Sequence, residues 1–469
     1  MPTPETLARM KAVVGPKGFI DAPAEMAPYL VERRGLYQGR AAAVLQPAST
    51  AEVSALMKIA HETDTKVIPQ GGNTGLVGGQ IPFQNDDVIL SLNRMNQVSD
   101  VDALNNTLSV EAGVTLAAAQ EAAARVERLF PLSLASEGSC QIGGNLATNA
   151  GGTAVLHYGN ARALVLGLEV VLANGDIWDG RRRLRKDNTG YDMKQLFIGS
   201  EGTLGIITGA VLKLFPRPQA VETAFLAVPN IEASVDLLHR AETMSAGQVT
   251  AFELMPRMGI EFLLKHQQGA SDPLVSPSPW YVLLEMSAGE GNLRTTMETT
   301  LSAAMEAGEA TDAVLAVSDM QRTKLWALRE GMSEVQRLEG GSIKHDVSVP
   351  VSRVAEFITT ASAAAKAAMP GVRLVPFGHV GDGNIHFNLS QPVAADKAEF
   401  IARWDEMSAI VHGIVLSFDG SISAEHGVGW MKRDEIAAIK SPVEIEMMRA
   451  VKRALDPKNI LNPGKVIAM

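Results

Sequence analysis

Pro69-Gln70-Gly71-Gly72-Asn73-Thr74-Gly75-Leu76-Val77-Gly78-Gly79 follows the apolar stretch Lys66-Val67-Ile68 and sets five glycines among the nine positions 71–79. Bare backbone amides at that density can curl around phosphate oxygens, because glycine permits the positive φ angles that turn successive N–H groups inward. A second run, Gly138-Ser139-Cys140-Gln141-Ile142-Gly143-Gly144-Asn145-Leu146-Ala147-Thr148-Asn149-Ala150-Gly151-Gly152, comes about sixty residues later, and Gly199-Ser200-Glu201-Gly202-Thr203-Leu204-Gly205 is a third. Any one of them alone reads equally as structural turns. Three, separated by strands, imply a large phosphate-containing ligand. The sequence holds neither G-x-G-x-x-G nor G-x-x-x-x-G-K-[ST]. A Rossmann dinucleotide site and a P-loop are therefore unsupported, and an NAD-dependent dehydrogenase is disfavoured.

Around these loops the chain alternates strand-like and helix-like segments. A short apolar strand at 43–45 ends before Pro47, and Ser49 with Glu52 forms a capping-box pattern that opens a helix through about residue 61. Strands are expected at 66–68, 88–92, 107–111, 166–171 and 206–214, and an alanine-rich helix at 116–124. Phe215-Pro216-Arg217-Pro218 reads as a linker, since two prolines so close stop both helix and ladder. Beyond it, strands at 225–228, 281–285, 374–377 and 385–389 alternate with helices at 233–244, 293–307, 323–338 and 354–368, and 269–279 reads as an exposed loop. This order predicts an α+β chain whose second half is an antiparallel sheet with helices on one face. The expected domains are 1–216, 217–420 and a C-terminal segment 421–469.

At 469 residues and 46% hydrophobic, the chain is too long for one core. A net charge of −10 argues against a nucleic-acid partner. The single Cys140 excludes an internal disulfide and suits a reducing, cytoplasmic setting. No signal peptide is read at the N-terminus, and no run of 18 apolar residues occurs, so no membrane span is expected.

Gly378-His379-Val380-Gly381-Asp382-Gly383-Asn384-Ile385-His386-Phe387-Asn388 carries a hairpin signal in Asp382-Gly383. A two-residue turn there would pair His379 with His386 directly, close enough to share one divalent cation. Period-2 alternation adds Asn388 to the same face. The alternative is a core hairpin with two hydrogen-bonded imidazoles. Ser423-Ala424-Glu425-His426-Gly427-Val428-Gly429 offers candidates for a third ligand. Upstream, Leu325, Leu328, Met332 and Val335 make the apolar stripe of a helix, with Arg329 and Ser333 on another face and Lys344 fifteen residues beyond Arg329. On spacing alone these are a solvated face and an exposed lysine.

Taken together, the three glycine loops, the Leu461-Asn462-Pro463-Gly464-Lys465 ending and the histidine hairpin resemble the FAD-linked 2-hydroxyacid dehydrogenases of the vanillyl-alcohol-oxidase superfamily. The likeness is nearest to the branch of D-2-hydroxyglutarate and D-lactate dehydrogenases and runs from about Leu36 to the end. It implies a PCMH-type FAD-binding domain, a substrate or cap domain whose antiparallel sheet is covered by helices, and a C-terminal segment returning to the flavin. The first loop (Pro69, Gln70, Gly71, Gly72, Asn73, Thr74, Gly75, Gly78, Gly79) and the second (Gly138, Ser139, Gly143, Gly144, Asn149, Gly152) would hold the FAD pyrophosphate. Glu201 and Gly202, with Ile206 and Ile207, would lie along the adenine half, and Asn462 would approach the flavin. Residues 69–79 hold no histidine, so a non-covalent flavin is expected.

The same resemblance implies a His379, His386 and Glu425 metal site for zinc, or alternatively manganese. Arg329 and His426 would meet the carboxylate end common to all substrates, and Ser333, Lys344 and Asn388 a distal carboxylate. The relatives in mammals tend to threonine where this chain has Ser333. The implied reaction oxidises a D-2-hydroxyacid, D-2-hydroxyglutarate foremost and also D-malate or D-lactate, with a D-lactate or glycolate dehydrogenase subunit of the same family as the alternative; His426 acts as general base and hydride passes to flavin N5. A soluble acceptor such as an electron-transfer flavoprotein would take the electrons, and a homodimer is compatible with this reading. Two other classes stand beside it: a metal-dependent hydrolase with structural glycine loops, and a non-catalytic flavin-binding subunit.

Overall fold

Helix start signals in the first half act as the sequence suggests. Ser49 is extended (φ −156°, ψ 160°), and its hydroxyl accepts from the Glu52 amide at 3.2 Å, opening the helix Thr50–Thr63. The Glu52 carboxylate turns back to the Ala48 amide, 2.8 Å away, one residue short of the usual capping-box partner. This helix is the crossover between the parallel-sheet strands Ala43–Leu45 and Val67–Gln70, with Val88–Ser91 hydrogen-bonded between them and parallel to both. The computed structural model that shows this describes residues 2–83, 87–289 and 291–469.

Two compact units divide the chain. The first comprises Met1–Gly152, Gly159–Arg217 and Glu425–Met469. Besides the parallel sheet it holds a five-stranded antiparallel sheet, in the order Val98–Asp102, Thr107–Glu111, Ile206–Lys213, Val165–Val171 and Ile177–Asp179. The C-terminal segment belongs to this unit through main-chain bonds. The Val67 amide donates to the Ile460 carbonyl at 2.8 Å, and the Asn462 amide donates back to the Val67 carbonyl at 2.8 Å. Phe215 and Pro216, expected to interrupt any ladder, pair with Leu129 and Arg128 as a two-stranded piece. Proline is tolerated there because a two-strand ribbon leaves one side of each strand unpaired.

The second unit comprises Thr153–Tyr158 and Pro218–Ala424. Its antiparallel eight-stranded sheet runs Asp312–Leu315, Ala220–Val228, Trp280–Ala288, Val249–Pro256, Arg373–His379, Asn384–Ser390 and Ser342–Ile343, with Asp346–Ser348 also paired to Asn384–Ser390. Helices cover both faces rather than the one expected. On one face Phe377 and Val375 pack with Leu325, Leu328, Met332, Ile260 and Leu263. On the other, Phe387 packs beside Phe357 of the helix Val354–Ala368, ring centroids 5.7 Å apart and planes tilted by 59°. The strand Val249–Pro256 accordingly has every residue buried.

The single helix expected at 323–338 is two, Asp319–Glu330 and Met332–Leu338, meeting at Gly331. A Cβ on Gly331 would fall 2.4 Å from Gln267 Oε1 and 2.8 Å from Leu263 Cδ2, so a larger residue at this joint would have to displace those side-chain ends.

Candidate active site

The histidine hairpin forms with a longer loop than expected. His379 pairs with Asn384 and Phe377 with His386, while Val380–Asp382 make a 3-10 turn and Gly383 closes it at φ 77°. The Gly383 amide donates to the Val380 carbonyl at 3.1 Å, and Asp382 Oδ1 accepts from the Asn384 amide at 3.0 Å. The partner of His379 thus moves by two residues from the expected register. Because side chains alternate with period two, a shift of two leaves both histidines on one face. They are diagonal neighbours, ring centroids 5.8 Å apart with planes at 76°. Asn388, 2% exposed, lies on that face too, opposite Val375.

The two imidazoles differ in what stands at Nδ1. His379 Nδ1 is 2.6 Å from Glu253 Oε1, within hydrogen-bond distance, whereas His386 Nδ1 is 3.9 Å from Asp346 Oδ1, beyond it; that oxygen accepts from Asn384 Nδ2 at 2.9 Å. A proton held on His379 Nδ1 puts its lone pair on Nε2, so His379 fits a divalent ion bound through Nε2. Glu253, fully buried, was not visible as a site residue in the sequence. It sits directly across from His379 in the ladder, and its second oxygen accepts from Arg329 Nε at 2.5 Å. Burial alone would push the carboxyl up, but Arg329 and His379 hold it down to about 2. The available signal was a lone acid in an otherwise uncharged run, Val249-Thr250-Ala251-Phe252-Glu253-Leu254-Met255.

Arg329 lies over the Phe377 ring at 4.8 Å, and among the described residues only its Nε is hydrogen-bonded. Its Nη1 and Nη2 therefore form a fork without a hydrogen bond to the described residues, the geometry suited to a carboxylate. Lys344, which follows the strand Ser342–Ile343, donates from Nζ to the Ser333 carbonyl at 3.1 Å, so these two residues meet although the helix joint at Gly331 separates Ser333 from Arg329.

In the first unit the glycine loops work mainly by close approach. In 69–79 only Gly78 and Asn73 have positive φ, so the expected inward-turned amide nest is not general there. Gly72 shows the actual need: a Cβ would lie 1.8 Å from the Ser139 carbonyl oxygen, which brings the first two loops together. Within the second run, Ile142–Ala147 is a short helix containing Gly143 and Gly144, and Gly152 takes φ 116°. Gln70 donates through Nε2 to the Tyr29 and Gln80 carbonyls, and Asn462 through Nδ2 to the Gly79 and Glu201 carbonyls. Those bonds fix both amides. Their oxygens, Gln70 Oε1 and Asn462 Oδ1, are buried and accept nothing from the described residues. Orphaned acceptors of this kind call for a donor from outside the chain, and a flavin cofactor carries such N–H and O–H groups.

Glu201, expected along the cofactor, turns its carboxylate to another part of the chain. Its carboxylate accepts from the Val428 and Gly429 amides at 2.7 and 2.8 Å, and burial pushes its pKa up. It therefore clamps the turn that follows Glu425 and His426. Glu425 Oε1 accepts from the Gly152 amide at 2.9 Å. Ile206 and Ile207 are buried in the strand Ile206–Lys213.

Comparison with known proteins agrees with this architecture. The FAD binding domain family matches residues 41–181, and the family of FAD linked oxidases, C-terminal domain, matches residues 217–466. A D-2-hydroxyglutarate dehydrogenase of Xanthomonas citri pv. viticola is 39% identical over 90% of this chain and 89% of its own length. The mitochondrial D-2-hydroxyglutarate dehydrogenase of Bos taurus is 38% identical over 99% of this chain and 83% of its own. The structure of p-cresol methylhydroxylase with substrate bound superposes with a TM-score of 0.79 at 18% identity, covering 99% of this chain and 96% of that one, a likeness of fold. The chain belongs to the FAD-linked oxidases with the PCMH-type fold and is an FAD-dependent oxidoreductase. Within them it falls in the branch of the D-2-hydroxyacid dehydrogenases, enzymes of the CH–OH class. Among the described residues no helix is long and apolar enough to cross a membrane.

Proposed function

We propose that the chain oxidises D-2-hydroxyglutarate to the 2-oxoacid. The observation that carries this reading is the second cation: Lys344, held against Ser333, stands in the same unit as the Arg329 fork, giving a dicarboxylate one positive partner for each end. Arg329 binds the carboxylate next to the reacting carbon, and Lys344 with Ser333 and Asn388 binds the distal one. His426 takes the hydroxyl proton as general base, helped by Glu201, whose grip on Val428 and Gly429 fixes the turn after it. FAD, held non-covalently by the glycine loops with Gln70 and Asn462, supplies the hydride acceptor. A divalent ion on His379, His386 and Glu425, zinc in preference to manganese, would acidify the substrate hydroxyl. D-malate and D-lactate are slower substrates of the same site, and a soluble carrier such as an electron-transfer flavoprotein takes the electrons.

Anaerobic stopped-flow bleaching of the flavin by D-2-hydroxyglutarate, D-malate, D-lactate and glycolate tests this. The two dicarboxylates should reduce the flavin with the higher kcat/KM. If D-lactate or glycolate outran both, a lactate- or glycolate-oxidising member of the same branch would replace the present reading.

A further inference from the structure

One buried carboxylate in the second unit touches two groups that the proposed reaction uses for different purposes. Glu253 lies opposite His379 in an antiparallel ladder, so its position is fixed by main-chain pairing rather than by a flexible loop. Its Oε1 meets His379 Nδ1 at 2.6 Å and its Oε2 meets Arg329 Nε at 2.5 Å. The strand around it is wholly buried, and the residue itself is 0% exposed. Such a group has no solvent to turn to, so both partners are held at fixed angles.

The two contacts act on the far sides of their partners. A carboxylate at Nδ1 fixes the imidazole tautomer and aims Nε2, and removing such an outer partner typically weakens metal binding about 10–100-fold. A carboxylate at Nε of an arginine occupies the one N–H outside the terminal fork and sets the plane in which Nη1 and Nη2 point. We propose that Glu253 is a positioning residue that aligns the metal-binding nitrogen of His379 and the carboxylate-binding fork of Arg329 together, so that metal and substrate are presented in one frame. The proposal rests on the metal-assisted reading given above. It also explains why an acid sits in a strand that is otherwise all core: a glutamine has one acceptor oxygen and would turn an amide N–H toward the second donor.

The test uses the FAD-loaded protein and zinc alone, titrated in competition with a chromophoric chelator, followed by steady-state kinetics. Glu253→Gln should keep its flavin, bind zinc about 10–100-fold more weakly, and show raised KM for every 2-hydroxyacid, D-lactate included. Saturating zinc should restore most of kcat and leave KM raised, because the metal cannot re-aim Arg329. Leu254→Ala, on the same strand but the opposite face, serves as the structural control: it loosens packing and should leave zinc affinity unchanged. Should Glu253→Gln fail to fold, Glu253→Asp is read by the same titration, since it keeps the charge but is too short to reach both partners. Unaltered zinc affinity and KM in the folded variant would overturn the role of Glu253. Wild-type protein that binds no zinc would instead remove the metal reading on which it rests.

Discussion

Lys344 reaches the backbone carbonyl of Ser333 at 3.1 Å, although the rest of the helix Met332–Leu338 and the two-residue strand Ser342–Ile343 lie between them in the chain. A backbone acceptor fixes where the ammonium stands whatever the side chain at position 333. Loss of a charge-assisted hydrogen bond costs about 1.5–3 kcal/mol, roughly ten- to hundredfold in kcat/KM. Lys344→Met should therefore impair D-2-hydroxyglutarate and D-malate by about that factor and spare D-lactate, which has no distal carboxylate. Arg329→Met should impair all three. Equal loss for lactate and hydroxyglutarate in Lys344→Met would move Lys344 to the common end of the site and end the dicarboxylate assignment.

His379→Ala, His386→Ala and Glu425→Ala are each expected to retain FAD while losing substrate-dependent bleaching, since these groups act on the substrate side of the reaction. Elemental analysis of the purified variants should show metal content falling with activity. Full turnover by metal-free wild-type protein contradicts the assignment.

The purified protein should be yellow, with FAD released intact by acid or heat, because no histidine stands in 69–79 to form a covalent bond. Gly72→Ala should lower flavin occupancy sharply. Its new methyl would lie 1.8 Å from the Ser139 carbonyl, and relieving such a clash costs about 1–3 kcal/mol through movement of the two loops. Flavin content by absorbance, compared with wild type at equal protein, decides this; normal occupancy would show that the approach of the loops is not what holds the cofactor.

Lys465 is 2% exposed, donates to the Ile81 carbonyl at 2.7 Å, and has its Nζ 4.0 Å from the Phe83 ring centroid. Burial pushes it from 10.5 down to about 7, against the pull of Asp87 and Glu201. Its folded pKa is below its unfolded one, so between about 7 and 10.5 the unfolded chain binds more protons and stability rises with pH. Below that window both states are protonated and the slope vanishes. Lys465→Met cannot titrate, so the stability of wild type relative to this variant, from denaturant melts, should increase as pH is raised from about 7 toward 10.5. A flat or falling difference would mean that the aromatic ring keeps the ammonium charged.

Flanking features made much of the architecture legible. The helices Leu116–Ala124 and Val354–Ala368 and the strand Thr107–Glu111 have the bounds read from the sequence, because capping, periodicity and glycine or proline punctuation are local properties. The joint at Gly331 and the pairing of Phe215-Pro216 escaped that reading, since a helix packed alongside and a partner strand more than eighty residues away decided them.

The family, the α+β class and the common face of His379 and His386 were all legible in the order of residues. That last point follows from a two-residue strand period that a register shift of two does not disturb. Tertiary structure decided the rest: that Glu253 is opposite His379 and bonded to Arg329, that Lys344 meets Ser333, and that Glu201 serves the turn at Val428 and Gly429. Each joins residues far apart in the chain, and the identity of a buried acid records that it has partners without recording which ones.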